Sequence, residues 1–363
     1  DNHGMFFYIR NADNGQVWSA TYAPFNILPD NYNVTFTSDK ARYQRTDGSI
    51  ETRTEIIAAP SDNAEIRKLS LTNKGDHAHI LEVTSYFEVV LANQNADIAH
   101  PAFSNLFIRT EFVPELNSLI ASRKPRSDKE KEQWLANTII ADSEISGSIQ
   151  YETDRLQFIG RGRNTSNPAA IELNKPLSNT TGPVLDPVMC LRIMIKVEPG
   201  QTVNVAYITS VAESRDGIIE LAQKYNNYES VENGFRLALT RSRVESGYLN
   251  LKPSEIRLYQ EMISHIVFFS PLCRQKSECI LQNRKGQSSL WKYGISGDLP
   301  IVLLLLEKTD EIDIVYEILN AHEYWKIRGL TIDLVIIDNE EGGYTYPLNT
   351  LLKDVISSSH VHD

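Results

Sequence analysis

The sequence predicts an α+β multidomain protein: an N-terminal antiparallel β-sandwich at 1–211, a helical linker at 212–255, and the opening of an all-helical domain at 256–363. Three observations lead there. From Met5 to about Val211, short apolar–polar alternations are separated by Gly, Asn and Asp turns. That period belongs to strands with one face in a core and the other in water. After Ser210 the apolar spacing lengthens to that of helices. The length of 363 residues exceeds one ordinary domain.

Taken in order, Met5–Arg10, the Asn14-Gly15 turn and Gln16–Thr21 read as a hairpin, since Asn-Gly supplies the positive φ of such turns. Asn33–Thr37, Ala41–Thr46 and Ile50–Ile57 continue the strands, with Asp47-Gly48 as another turn. Glu65–Asn73 turns at Lys74-Gly75-Asp76 and returns through His79–Val90. Asn93–Pro101 reads as a polar loop that faces a partner, and Arg123–Glu132 as a solvated run of mixed charge. His77, His79 and His100 read as surface or edge residues, because no carboxylate accompanies them at metal spacing. Arg161-Gly162-Arg163-Asn164 reads as an exposed basic turn. Val188–Val197, Glu198-Pro199-Gly200-Gln201 and Thr202–Val211 read as a last hairpin. So many short strands argue for antiparallel sheets packed face to face.

Helical spacing then covers Ile218–Tyr225, Val231–Val244 and Ile256–Phe269, the last opened by Pro253 in a first turn. Leu299–Lys308, Glu311–Arg328 and Pro347–Ile356 are expected as further helices, with Thr331–Ile337 as a buried strand between them.

Composition narrows the function. The chain is 41% hydrophobic and 23% charged, ordinary for a globular protein. A net charge of -11 argues against a nucleic-acid partner, which needs clustered Lys and Arg. Three cysteines (Cys190, Cys273, Cys279) form no paired framework, which fits a reducing, cytoplasmic setting. Cys273 and Cys279 lack a second pair and a nearby His, so no metal site is expected. The longest apolar run, Ile301 to Leu306, is far too short to span a bilayer, so no membrane segment is expected. The opening at Asp1 and the close at Ser357–Asp363 have the look of cut ends, and a fragment is expected.

The densest stretch is Asn283–Val302, where Gln287-Ser288-Ser289-Leu290-Trp291-Lys292-Tyr293-Gly294-Ile295-Ser296-Gly297-Asp298-Leu299-Pro300 combines aromatics, glycines, one lysine and one carboxylate. Glycines let backbone approach a ligand closely, and flat aromatic faces suit a sugar ring. This stretch, together with His322–Glu340, Gln16-Val17-Trp18-Ser19 and Leu69–Asn73, resembles glycoside hydrolase family 94 along essentially the whole chain. The resemblance is to the branch of 1,2-β-oligoglucan phosphorylases and of the phosphorylase-like region of cyclic β-1,2-glucan synthases.

The resemblance implies a galactose-mutarotase-like super-sandwich, a helical linker and the start of an (α/α)6 barrel. It implies inverting phosphorolysis: phosphate attacks the anomeric carbon of a terminal glucose while a carboxylic acid protonates the departing oxygen. It places Asp298 as the carboxylate that holds hydroxyls of the non-reducing glucose, with Trp291 and Tyr293 as walls. Gly294, Ser296 and Arg284 share the subsite, and Lys292 stands near where other members carry Arg. It implies no organic cofactor and no metal, with inorganic phosphate as co-substrate of a β-glucan oligosaccharide. A homodimer is implied too, in which the sandwich of one subunit meets the barrel region of the other. No stretch from Leu306 to Asp363 matches the family's general acid, and the family gives the acidic cluster Asp338, Glu340 and Glu341 no acid role. No catalytic residue is therefore assigned in this chain, which alone is expected to be inactive. The competing readings are a non-catalytic carbohydrate-binding or dimerisation module, and the tail of a membrane-bound cyclic glucan synthase.

Overall fold

The computed structural model describes residues 4–125, 130–268, 277–339 and 347–358. Cys273, Glu340, Glu341 and part of the Arg123–Glu132 run lie outside the described residues. The chain forms two compact units, residues 1–240 and 241–363.

The first unit is built from strands β1 (Phe6–Asn11), β2 (Val17–Ser19), β3 (Asn31–Phe36), β4 (Ala41–Asp47), β5 (Ile50–Ala58), β6 (Ala64–Asn73) and β7 (His79–Glu88). Short helices α1 (Gln94–Ala99) and α2 (Pro101–Asn105) follow, then β8 (Ile108–Val113), β9 (Ser118–Arg123), β10 (Gln133–Ala141), β11 (Gln150–Asp154), α3 (Arg155–Ile159), β12 (Pro187–Val197) and β13 (Thr202–Ala212). They make two antiparallel sheets, ordered β11-β12-β7-β1-β2 and β3-β4-β5-β6-β13-β10-β9-β8. The core between them includes Ile9, Trp18, Leu69, Leu71, Val83, Leu191 and Val205. Tyr207 reaches across it to donate to the carbonyl of Val83 at 3.2 Å.

Two expected hairpins prove to be corners. β6 and β7 belong to different sheets, and so do β12 and β13. The turns after Asn73 and Val197 therefore carry the chain from one sheet to the other. One side chain serves both: the buried Asn73 donates through Nδ2 to the carbonyls of His77 at 2.7 Å and Val197 at 3.0 Å. Alternation is the same for a hairpin and a corner, so spacing alone does not separate them.

Strand β1 is buried at every position. Phe7 and Ile9 enter the inter-sheet core, while Phe6 and Tyr8 pack outward on Phe158, Ile171 and Leu177 of the long excursion between β11 and β12. On the outer face of the larger sheet, Ile57, Ile66, Ala206 and Ile208 meet Val231, Phe235 and Ala238. Those last three lie on α5 (Tyr228–Tyr248), which follows α4 (Arg215–Tyr225).

Two further expectations change. The segment read as a polar loop carries α1 and α2, with Asn93 capping α1 by accepting from the Asn95 amide at 3.0 Å. Arg123, read as part of a solvated run, is buried at the end of β9 and donates to the carbonyl of Ser104 at 2.8 Å. His77 and His100 are exposed; His79 is half-buried between Asn11 and Ser49.

The second unit contains α6 (Pro253–Val267), α7 (Ser277–Gln282), β14 (Ile301–Leu306), α8 (Ile312–Ile327), β15 (Asp333–Asp338) and α9 (Pro347–Ser358). The helix expected at Leu299–Lys308 is strand β14, parallel to β15 with Ile301 opposite Asp333 and Leu306 opposite Asp338. A six-residue apolar run fits a buried strand or a buried helix turn equally well. The partner strand 32 residues on (333 − 301) decides it. α8 is the crossover such a parallel pair requires. Tyr259, Ile318, Tyr324 and Trp325 form the core beside it, and Trp325 donates to the carbonyl of Tyr259 at 2.9 Å.

Candidate functional site

Residues 283–300 make a compact loop between α7 and β14, closed by its own hydrogen bonds. Single turns of 3-10 helix at Gln287–Ser289 and Trp291–Tyr293 wind it up. Gly294 ends the second turn in the left-handed region at φ 76°, where a side chain is disfavoured. The amides of Tyr293 and Ile295 both donate to the single carbonyl of Leu290, at 2.9 and 3.4 Å.

Three of the expected residues meet at one point. The Gln287 side-chain amide donates to the Ser296 carbonyl at 3.0 Å and to Asp298 Oδ1 at 2.9 Å. Trp291 Nε1 donates to the same carbonyl at 3.3 Å, and the Asp298 amide donates to Ser296 Oγ at 3.2 Å. The Asp298 carboxylate is thus steered through one oxygen while the residue stays exposed. Lys292 lies over the Tyr293 ring, its Nζ 4.6 Å from the centroid. A hydrogen bond from Lys292, and its charge, hold the Tyr293 hydroxyl below its ordinary titration range. Trp291 and Tyr293 are 64% and 68% exposed, so both rings are open to a ligand. Arg284, near the start of the loop, is exposed and joins none of these bonds among the described residues. Gln287 opens the motif but carries no signal of its own in the sequence. Its role comes from reaching eleven residues along the chain, which spacing does not reveal.

Gly297 sits at φ 75°, and a Cβ there would stand 2.9 Å from Gln287 Cγ and 3.1 Å from Leu290 Cδ1. Gly297→Ala is therefore expected to push Gln287 off Asp298, with about 1–2 kcal/mol of backbone strain added. The thermal unfolding temperature of the second unit should fall; an unchanged value would mean the loop tolerates the side chain.

The loop is open to solvent along most of its length. A cavity of about 630 Å³ lies elsewhere, in the sandwich, lined among others by Met5, Arg67, Phe87, Glu88, Arg155 and Asp186. Two ion pairs line it, Arg67 with Glu65 and Arg155 with Glu88. Among the described residues no group of three His, Cys, Asp or Glu side chains is placed to hold a metal ion. Nor, among them, is any helix long and apolar enough to cross a membrane.

Two antiparallel sheets of eight and five strands, followed by helices and an exposed aromatic–carboxylate loop, define a supersandwich protein with a helical continuation. The chain belongs to glycosyl hydrolase family 94: the family model described as "Glycosyl hydrolase 94, supersandwich domain" matches residues 1–228. Over 352 residues it is 33% identical to the cyclic beta-(1,2)-glucan synthase NdvB of Rhizobium meliloti (strain 1021), covering 97% of this chain and 12% of that protein. It is 23% identical over 230 residues to the solabiose phosphorylase of Paenibacillus borealis, covering 63% of this chain and 29% of that one. It is 22% identical over 237 residues to the N,N'-diacetylchitobiose phosphorylase of Vibrio proteolyticus, covering 65% of this chain and 28% of that enzyme. Among solved structures, a bacterial glucoamylase complexed with acarbose aligns with a TM-score of 0.39 at 12% identity, over 68% of this chain and 31% of that one. The chain thus spans less than a third of each of these relatives.

Proposed function

We propose that this chain is part of an inverting glycoside phosphorylase module that acts on β-1,2-glucooligosaccharides with inorganic phosphate and releases glucose 1-phosphate. The observation that carries the reading is the 33% identity to a cyclic β-1,2-glucan synthase across 97% of the chain, a span that must take in the 283–300 loop. The phosphorylase relatives supply the reaction type.

In this proposal Asp298 accepts hydroxyl hydrogens of the terminal glucose, as an ionised carboxylate can do twice with fixed geometry. Trp291 and Tyr293 form walls, and Lys292, Gly294, Ser296 and Arg284 complete the subsite. Phosphate takes the place of the activated water of an inverting hydrolase. The general acid and the phosphate ligands lie outside these 363 residues, no organic cofactor takes part, and the second unit leads into an (α/α)6 barrel. The protein works in the cytoplasm as a homodimer.

The second reading, a segment of a membrane-bound cyclic β-1,2-glucan synthase, is favoured by the same match, since the phosphorylases are less similar. Incubating sophorose or β-1,2-glucan with phosphate and assaying glucose 1-phosphate tests both parts. No product is expected from this chain alone and steady turnover from the full-length protein. Turnover by the chain alone would overturn the absent acid. A full-length protein without phosphorolysis would overturn the reaction.

A further inference from the structure

The cavity of about 630 Å³ opens at one end of the sandwich. Its lining comes from the starts of β6, β10 and β12 and the ends of β7 and β13, so both sheets contribute. The corners tied by Asn73 are at the opposite ends of those strands. At this end α1, α2 and α3 add Asp97, Asn105 and Arg155 to the lining. The volume falls in the range of about 300–1,000 Å³ usual for small-molecule sites. Phe87 and Leu135, which also pack against the inter-sheet core, give the cavity an apolar wall.

The rim is polar and ordered. Glu88 Oε1 accepts from Arg155 Nε at 2.8 Å and from the Tyr86 hydroxyl at 3.0 Å. Asp186 Oδ1 accepts from Asn105 Nδ2 at 3.2 Å. Among the described residues these bonds all fall on one oxygen of each carboxylate, which leaves Glu88 Oε2 and Asp186 Oδ2 for a ligand. Four carboxylates line the space, Glu65, Glu88, Asp97 and Asp186, against the guanidiniums of Arg67 and Arg155. That excess of negative charge disfavours phosphate and other anions. Guanidiniums among the acceptors disfavour a metal ion. A neutral ligand rich in hydroxyls fits both signs: each hydroxyl donates and accepts, and an arginine–carboxylate pair presents donors and acceptors side by side in fixed geometry. The apolar wall suits the C–H face of a sugar ring.

We propose that this cavity binds a saccharide, a segment of the β-1,2-glucan chain, through Arg155, Glu88 and Asp186. The inference rests on the β-1,2-glucan reading above. It adds a second point of attachment, in the sandwich, for a substrate longer than the one glucose assigned to Asp298.

The test uses the whole chain and its Asp298→Asn variant, which disables the other candidate site. A linear β-1,2-glucan oligosaccharide is titrated by calorimetry and by the isotope-labelled methyl signal of Met5, the one of four methionines that lines the cavity. Wild type and Asp298→Asn should both bind the glucan and shift the Met5 signal. Arg155→Met or Asp186→Asn, added to Asp298→Asn, should weaken binding by about 10-fold, as loss of a charged hydrogen-bond partner does, and abolish the shift. The Arg155–Glu88 pair is 41% and 40% exposed, so Tm should stay near native. Inorganic phosphate should leave the signal unmoved. An Asp298→Asn chain that binds no glucan, binding unchanged in both rim variants, or a Met5 shift produced by phosphate overturns the cavity as a saccharide site. Phosphorolysis by the full-length protein is read separately. Turnover alongside any of those results removes only the cavity, and glucan held in the cavity without turnover removes only the reaction.

Discussion

Asp298→Asn should lower the affinity of the full-length protein for a terminal glucose by about 10- to 100-fold, because each hydrogen bond to a charged acceptor contributes about 1.5–3 kcal/mol. The substitution is nearly isosteric. Its side-chain oxygen can still accept from Gln287, as Asp298 Oδ1 does at 2.9 Å, and the backbone bond to Ser296 Oγ does not involve the side chain. The loop should therefore keep its shape and the second unit its Tm. What is lost is the ionised acceptor offered to two sugar hydroxyls. Equilibrium binding of sophorose with parallel thermal unfolding separates the outcomes. Affinity within about twofold of wild type would remove Asp298 from the donor subsite.

Glu82→Ala should destabilise the first unit by about 3–5 kcal/mol, the usual cost of breaking a buried ion pair from one side. Glu82 lies between two guanidiniums. Arg10 Nη2 donates to its Oε2 at 2.5 Å, and Arg192 Nε stands 3.3 Å from its Oε1. All three side chains are nearly inaccessible, at 6%, 5% and 2%. Burial pulls the Arg192 pKa down and Glu82 opposes that shift. The two arginines also grip the excursion between β11 and β12. Arg192 donates to the carbonyls of Ala170 at 2.6 Å and Lys175 at 2.8 Å, and Arg10 to that of Glu172. Without the carboxylate, two buried positive charges face each other and the excursion loosens over Tyr8 and Phe158. At roughly 2–4 °C per kcal/mol the Tm should fall by about 6–20 °C. Replacing all three by apolar residues should cost less than the single change. A single-mutant loss below about 1 kcal/mol would show that water reaches the cluster.

Local pattern carried most of the strand and helix content. Period-two alternation placed β4 to β7, β12 and β13, and Asn14-Gly15 placed the first turn, because both are properties of a few adjacent residues. The sugar-binding candidate was legible for a similar reason: Trp291, Tyr293 and Asp298 are close in sequence and chemically conspicuous. Gln287 was not, since its part depends on the 3-10 turns that bring it back to Asp298. The helical look of Asn93–Asn105 was hidden in polar residues that cap and turn as readily as they form loops.

What the sequence determined by itself was therefore the inventory: a run of antiparallel strands, helices after Ser210, and an aromatic–carboxylate loop ahead of an apolar run. Sheet membership was decided only by tertiary structure. The alternation of β6 and β7 fits a hairpin, yet the buried Asn73 amide ties the chain into a corner by satisfying the His77 and Val197 carbonyls. Ile301–Leu306 became a strand only because β15 offered a parallel ladder across α8. In both places a residue distant in sequence supplies a hydrogen-bond partner, Val197 for the Asn73 side chain and β15 for β14, and no local pattern announces it.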